Sequence, residues 1–322
     1  MSISISNAQA LFDRLIVVDW SANAAPKLGR DSIWIAVFDA VSPANASNVA
    51  TRSAGLDSIH AAIVGAPHRR RTLLAVDFSL GYPSGTARAL GLGGVPWESM
   101  WRLLCELVVD DERNANNRFA VAGELNRRMM ELDPGRRAGP FWGCPRTRPT
   151  PNLTSTKVAA SPLGEWRHVE ALLRSTGSRP FSSWQLLGAG AVGGQSLLGI
   201  AALERLRRRL DPEIEWDVWP FTTGFALPHA TAVNDAVVVA EIWPSMIEWE
   251  RPALGATRVR DEAQVIALGN LLWEANLDGR LADLLVPEIV GDAVASAPAN
   301  VAEVVVAEEG WVLGAGAWPA SR

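Results

Sequence analysis

Two apolar runs along the chain stop in the same way, as Leu-Ile-Val-Val-Asp-Trp-Ser at 15–21 and Leu-Leu-Ala-Val-Asp-Phe-Ser at 73–79. Uninterrupted apolar stretches of this length that stop at a polar residue predict buried strands. Between them, Ser-Ile-Trp-Ile-Ala-Val-Phe at 32–38 predicts a second strand, and the polar loop 22–31 is short enough for antiparallel pairing with the first. A weaker strand is expected over 48–54 and a short helix over 56–64, ending before Gly65 and Pro67. That helix supplies the crossover a parallel return to the 73–78 strand requires.

Further on, Pro96 opens a helix over 96–109 with Trp97, Met100, Trp101, Leu104, Leu107 and Val108 on one stripe. Helices are also predicted over 118–132, 164–175 and 195–210, with strands over 215–221 and 236–243. A long helix over 262–285 carries Val265, Leu268, Leu271, Leu272 and Ala275 on one face. A final strand or hairpin is expected over 304–313, around Gly310.

Glycine and proline punctuate this pattern. The stretch 81–96 is a long loop directly after the 73–79 run, where an element covering a substrate would lie. Residues 133–163 form a Pro/Gly-rich segment carrying Arg136, Arg137, Arg146, Arg148 and Lys157. Such arginines can grip phosphates or carboxylates, or simply solvate a connection. The expected organisation is a first core part at 1–90, a helical, Pro/Gly/Arg-rich insertion at 91–182, and a second core part with the C-terminal segment at 183–322. Gly188, Gly190 and Gly193 match Gly-x-Gly-x-x-Gly at a helix start, but the preceding strand would be short, so close packing is expected there instead of dinucleotide binding.

Composition narrows the classes. About half of the chain is apolar, enough for a substantial core, and the net charge of −5 speaks against wholesale nucleic-acid binding while leaving room for a local basic patch. The start lacks a basic region followed by an apolar stretch, and no run reaches eighteen apolar residues; a cytoplasmic protein with no membrane partner is expected. Cys105 and Cys144 lack zinc-site spacing, and His60, His68, His168 and His229 are scattered. No nucleophile elbow or Walker loop occurs. Trp20, Trp34, Trp219 and Trp243 lie in or at the ends of strands, where packing is their expected role.

The chemistry concentrates in the acids. If the two matched strands are adjacent and parallel, Asp19 and Asp77 lie about 5 Å apart, and two carboxylates that close repel unless a proton or cation lies between them. The competing reading is local turn chemistry, since each acid has a serine, Ser21 or Ser79, two residues later. Glu241 is a third acid on an apolar run. Asp261 opens the long helix, where with Gln264 it could equally form a capping box.

Val-Val-Asp-Trp-Ser at 17–21, Ala-Val-Asp-Phe-Ser-Leu-Gly-Tyr-Pro at 75–83, Glu-Ile-Trp-Pro-Ser at 241–245 and Asp-Glu-Ala-Gln-Val at 261–265 together resemble the ribonuclease H-like superfold, and within it the DUF429 family. The resemblance covers about 1–90 and 210–285. It implies an α/β fold with a three-layer core: a mixed sheet of three antiparallel strands followed by parallel ones and helices on both faces, to which the helical, loop-rich insertion is an addition. It further implies a nuclease-like, divalent-metal-dependent hydrolase of a phosphate ester or nucleic-acid backbone, in which Asp19, Asp77, Glu241 and Asp261 are catalytic and hold Mg²⁺ or Mn²⁺. Ser21, Lys27, Ser79, Arg146 and Arg148 are then candidate phosphate contacts. The alternatives are an actin-like nucleotide-binding ATPase, in which the Asp19 and Asp77 turns grip phosphates, and a non-catalytic scaffold or binding protein.

Overall fold

The computed structural model describes residues 10–40, 45–65, 71–158, 163–188, 190–227, 235–246, 259–286 and 301–317. Six strands form one mixed sheet in the order β3-β2-β1-β4-β6-β5. They are β1 (Arg14–Asp19), β2 (Ile33–Asp39), β3 (Asn45–Val49), β4 (Arg71–Val76), β5 (Glu215–Val218) and β6 (Ala236–Glu241). β1 pairs antiparallel with β2, and β2 with β3; β4 lies parallel to β1, β6 parallel to β4, and β5 parallel to β6.

The central strands are apolar on both faces because both faces are covered. Ile16, Val18, Leu74, Val76, Val237 and Val239 point to one side, into a cluster shared with α1 (Arg52–Val64), α3 (Pro96–Leu107), α4 (Arg118–Leu132) and α6 (Gly193–Arg209). Leu15, Val17, Leu73, Ala75, Val238 and Ala240 point to the other, against α5 (His168–Ser175), α7 (Arg260–Leu277), α8 (Leu281–Leu285) and the C-terminal segment. A short helix α2 (Thr86–Ala89) follows β4. The molecule is thus a three-layer α/β structure with helices on both sides of the sheet.

Several boundaries moved for identifiable reasons. β3 occupies 45–49, not 48–54, because Thr51 caps α1, its hydroxyl accepting a hydrogen bond from the Ala54 amide at 3.2 Å. The helix expected over 262–285 breaks at Gly279, whose φ of 85° lies in the left-handed region where glycine is favoured. The strand expected over 304–313 is instead α9 (Val301–Val304), continued by a π-helical turn (Val305–Glu309). Only Val312 contributes a bridge, to Glu241 at the end of β6. Residues 91–182 pack on the core: Trp101, Leu104, Leu125 and Phe141 belong to the same cluster as Ile16 and Val18. His68 and His229 lie outside the described residues, as does most of the loop expected over 285–302.

Candidate functional site

β1 and β4 end side by side. Val18 pairs with Val76, so Asp19 and Asp77 stand opposite each other one position beyond. The Asp77 amide donates to the Val18 carbonyl at 3.2 Å, and the Trp20 amide donates to Asp77 Oδ1 at 2.7 Å. The two carboxyl groups are hydrogen-bonded to each other, which favours the protonated form of Asp19 and the ionised form of Asp77. Burial, followed by the charge of Asp77, pushes the Asp19 pKa well above the usual carboxylate range. Burial pushes Asp77 up to about 7, although the Trp20 amide and Asp19 oppose the shift. Two carboxylates drawn from water and set together keep a proton between them.

Asp261 joins from α7. It does not form the expected capping box, because the N-cap is Val259. Its Oδ2 instead accepts from the Asp31 amide at 2.6 Å, which ties α7 to the β1–β2 loop. Burial and the neighbouring Asp31 charge raise the Asp261 pKa, and the charges of both Asp31 and Asp261 bear on Asp19.

Glu241 borders the same cavity as Asp77 but comes from the other face of its strand. Along β6 it continues the face of Val237 and Val239, whereas Asp77 continues the opposite face of Leu73 and Ala75. Both Glu241 oxygens are bonded to Arg167, at 2.6 and 2.7 Å, and the Leu80 amide adds a 3.1 Å bond. Arg167 also reaches Glu170, Ser79 and the Glu309 carbonyl, at 3.0, 3.2 and 2.9 Å. Glu241 therefore balances a buried arginine with both of its oxygens engaged.

That network fixes the turn after Asp77. Glu309 accepts from the Ser84 and His168 amides and from the His168 ring, at 2.8, 2.7 and 2.7 Å, while Glu308 accepts from the Gly85 and Ala87 amides at 2.7 Å each. Gly81 lies directly under this segment, where a Cβ would run into the carbonyl oxygens of Glu308 and Glu309.

Two cavities meet at the acid pair. One, of about 380 Å³, is bordered by Asp19, Asp31, Asp261, Asn23 and Arg118; the other, of about 190 Å³, by Asp77, Arg167, Phe181, Trp243 and Gln264. Gly190 and Gln195 border both. Gln195 is held to the Trp20 carbonyl at 2.5 Å. The glycine-rich segment is thus part of the wall. No named strand directly precedes it among the described residues, and Gly193 packs on the carbonyls of Ser183 and Gln185, so it lacks the strand–turn–helix context of a dinucleotide site.

Of the expected phosphate contacts, Ser21 borders the Asp19 cavity, with its hydroxyl on the Asp31 carbonyl at 3.3 Å. Lys27 pairs with Asp31 at 3.4 Å. Ser79 is buried as an acceptor for Arg167. Arg146 and Arg148 are exposed and border neither cavity. The basic side chain that does face the acids, Arg118, carried no motif, and neither did Arg167. The one local hint of the buried network was Glu170, three residues after Arg167.

Among the described residues, no three or more acids, histidines and cysteines are arranged to hold a metal ion. Of the four expected acids, Asp19 and Asp77 form an adjacent pair, Asp261 adds negative charge beside it together with Asp31, and Glu241 is bonded to Arg167. Two oxygen-donor carboxylates still suit a hard cation of the Mg²⁺ type, which keeps several waters and binds through one or two acids. No known protein family, curated protein or solved structure matches the chain.

Proposed function

We propose that this protein is a divalent-metal-dependent hydrolase of a phosphate ester, nucleic-acid backbone included, built on a ribonuclease H-like core. The observation that carries the reading is the hydrogen-bonded Asp19–Asp77 pair at the ends of two adjacent parallel strands. The strand order β3-β2-β1-β4, antiparallel and then parallel, agrees with the arrangement such a core requires. Asp19 and Asp77 would hold Mg²⁺ or Mn²⁺. A cation bound there supplies Lewis-acid stabilisation and a more acidic water.

The chain's own groups do the rest. The Trp20 amide fixes one Asp77 oxygen beside Asp19. Asp261 and Asp31 keep the local field negative, so replacing the shared proton by a cation is favourable. The clamp of Arg167 and Glu309 holds the Asp77 turn in place, and the two cavities give a substrate room on either side of the acids.

The test is a cleavage assay with Mn²⁺ on single-stranded, duplex and branched nucleic acids and on small phosphodiesters, run beside ATP. Metal-dependent cleavage of a phosphate ester that leaves ATP intact is expected. ATP binding and turnover without ester cleavage would favour the actin-like alternative; no reaction with any substrate would favour a scaffold.

A further inference from the structure

Two arginines lie close together near the Asp19 cavity, and their situations differ. Arg52 is fully used: Nε and Nη2 grip Asp110 at 2.6 Å each, and the remaining donors reach the carbonyls of Ser21, Asn23 and Asn114 at 2.7–3.0 Å. Arg118 is not. Among the described residues its side chain donates one hydrogen bond, from Nη1 to the neutral amide oxygen of Asn116 at 2.8 Å, and its Nε is buried with no partner. No carboxylate among the described residues forms an ion pair with it.

The fold nevertheless holds this unpaired cation in place. The guanidinium carbon sits 4.3 Å over the Phe119 ring. The start of α6 leans on its stem: a Cβ at Gly194 would stand 3.3 Å from Arg118 Cδ and Nε, so a larger residue there would press on the arginine. Burial and the nearby charge of Arg52 lower its pKa to about 10, which still leaves it charged at neutral pH. A fixed arginine with spare donors on a cavity wall suits the planar, bidentate geometry of a phosphate. Asp19, Asp31 and Asp261 border the same cavity, so it has an acidic pole and a basic pole.

We propose that Arg118 is the anion-binding residue of this cavity, gripping a phosphate group of the substrate while the acid pair faces its reacting end. The inference rests on the hydrolase reading for the identity of the ligand, and its test does not require a metal. Protein freed of metal with EDTA is titrated with inorganic phosphate by calorimetry at about pH 6, where the acid pair keeps its proton and repels the anion least. Wild type is expected to bind saturably, and Arg118→Gln to weaken binding about tenfold or more, the worth of a charge-assisted hydrogen bond. Mn²⁺ titrations of both proteins at about pH 8 separate the two ideas, because Arg118→Gln, which removes a positive charge near the acids, should not weaken metal binding. If Arg118→Gln does not fold, Arg118→Lys carries the test: it keeps the charge, loses the fork, and should weaken phosphate binding at an unchanged melting temperature. Wild type that does not bind phosphate, or variants that bind it as well as wild type, would overturn the role of Arg118 whatever the metal titration gives.

Discussion

At the Asp19–Asp77 pair the folded chain binds protons more tightly than the unfolded one, since both pKa values are raised above the ordinary carboxylate range. Metal-free stability should therefore fall as pH rises from about 4, where unfolded carboxyls ionise, through about 7, where folded Asp77 ionises. Asp19→Asn keeps the volume and the hydrogen bond to Asp77 while removing one ionisable group. Urea unfolding of the variant across that window should give a flatter profile and a higher stability than wild type at about pH 8. A parallel, uniformly lower profile would mean that Asp19 acts as a structural turn acid. The pair itself was legible in the sequence, because a buried strand that stops at an acid places that acid at a sheet end, and two such strands in one register bring the acids together. Glu241 looked equivalent by the same pattern. Its destination was not legible, because it depends on the pleat face and on Arg167, which lies 74 positions away.

Among the elements, the C-terminal segment is the one that least resembles its sequence pattern. The apolar runs on either side of Glu308 and Gly310 suggest a strand or hairpin over Val304–Leu313, yet Val305–Glu309 turns as a π-helix because Glu308 and Glu309 satisfy the amides of the turn after β4 and the start of α5. Such partners lie far off in sequence, so local periodicity carries no trace of them. The strands and helices packed on the sheet were legible because their apolar spacing reports burial directly; the breaks at Gly279 and Thr51 shifted only their ends. Gly81 is where the clamp comes closest to the Asp77 turn. Gly81→Ala forces backbone apart in a packed region and should cost about 1–3 kcal/mol in urea unfolding. It should weaken metal binding as well, because the Asp77 turn must move. A variant as stable as wild type would show that the segment can yield.

Across the described residues, one sheet covered on both faces carries the acid pair at the strand ends beside two cavities, one bordered by Arg167 and the other by Arg118. Among the described residues no helix is long and apolar enough to cross a membrane. The three-layer arrangement was legible from the order of strands and helices. The joining of 91–182 to the main core was not, because the stripe on α3 tells that a face is buried but not against what. The most direct measurement is a calorimetric Mn²⁺ titration of wild type and Asp19→Asn, in buffers of different ionisation enthalpy, at about pH 6 and about pH 8. The expected result is saturable binding by wild type with proton release at the lower pH, tighter affinity at the higher pH, and no binding by Asp19→Asn. Wild type that takes up no Mn²⁺, or Asp19→Asn that binds it with the same affinity and proton release, would contradict a metal-holding role for the pair.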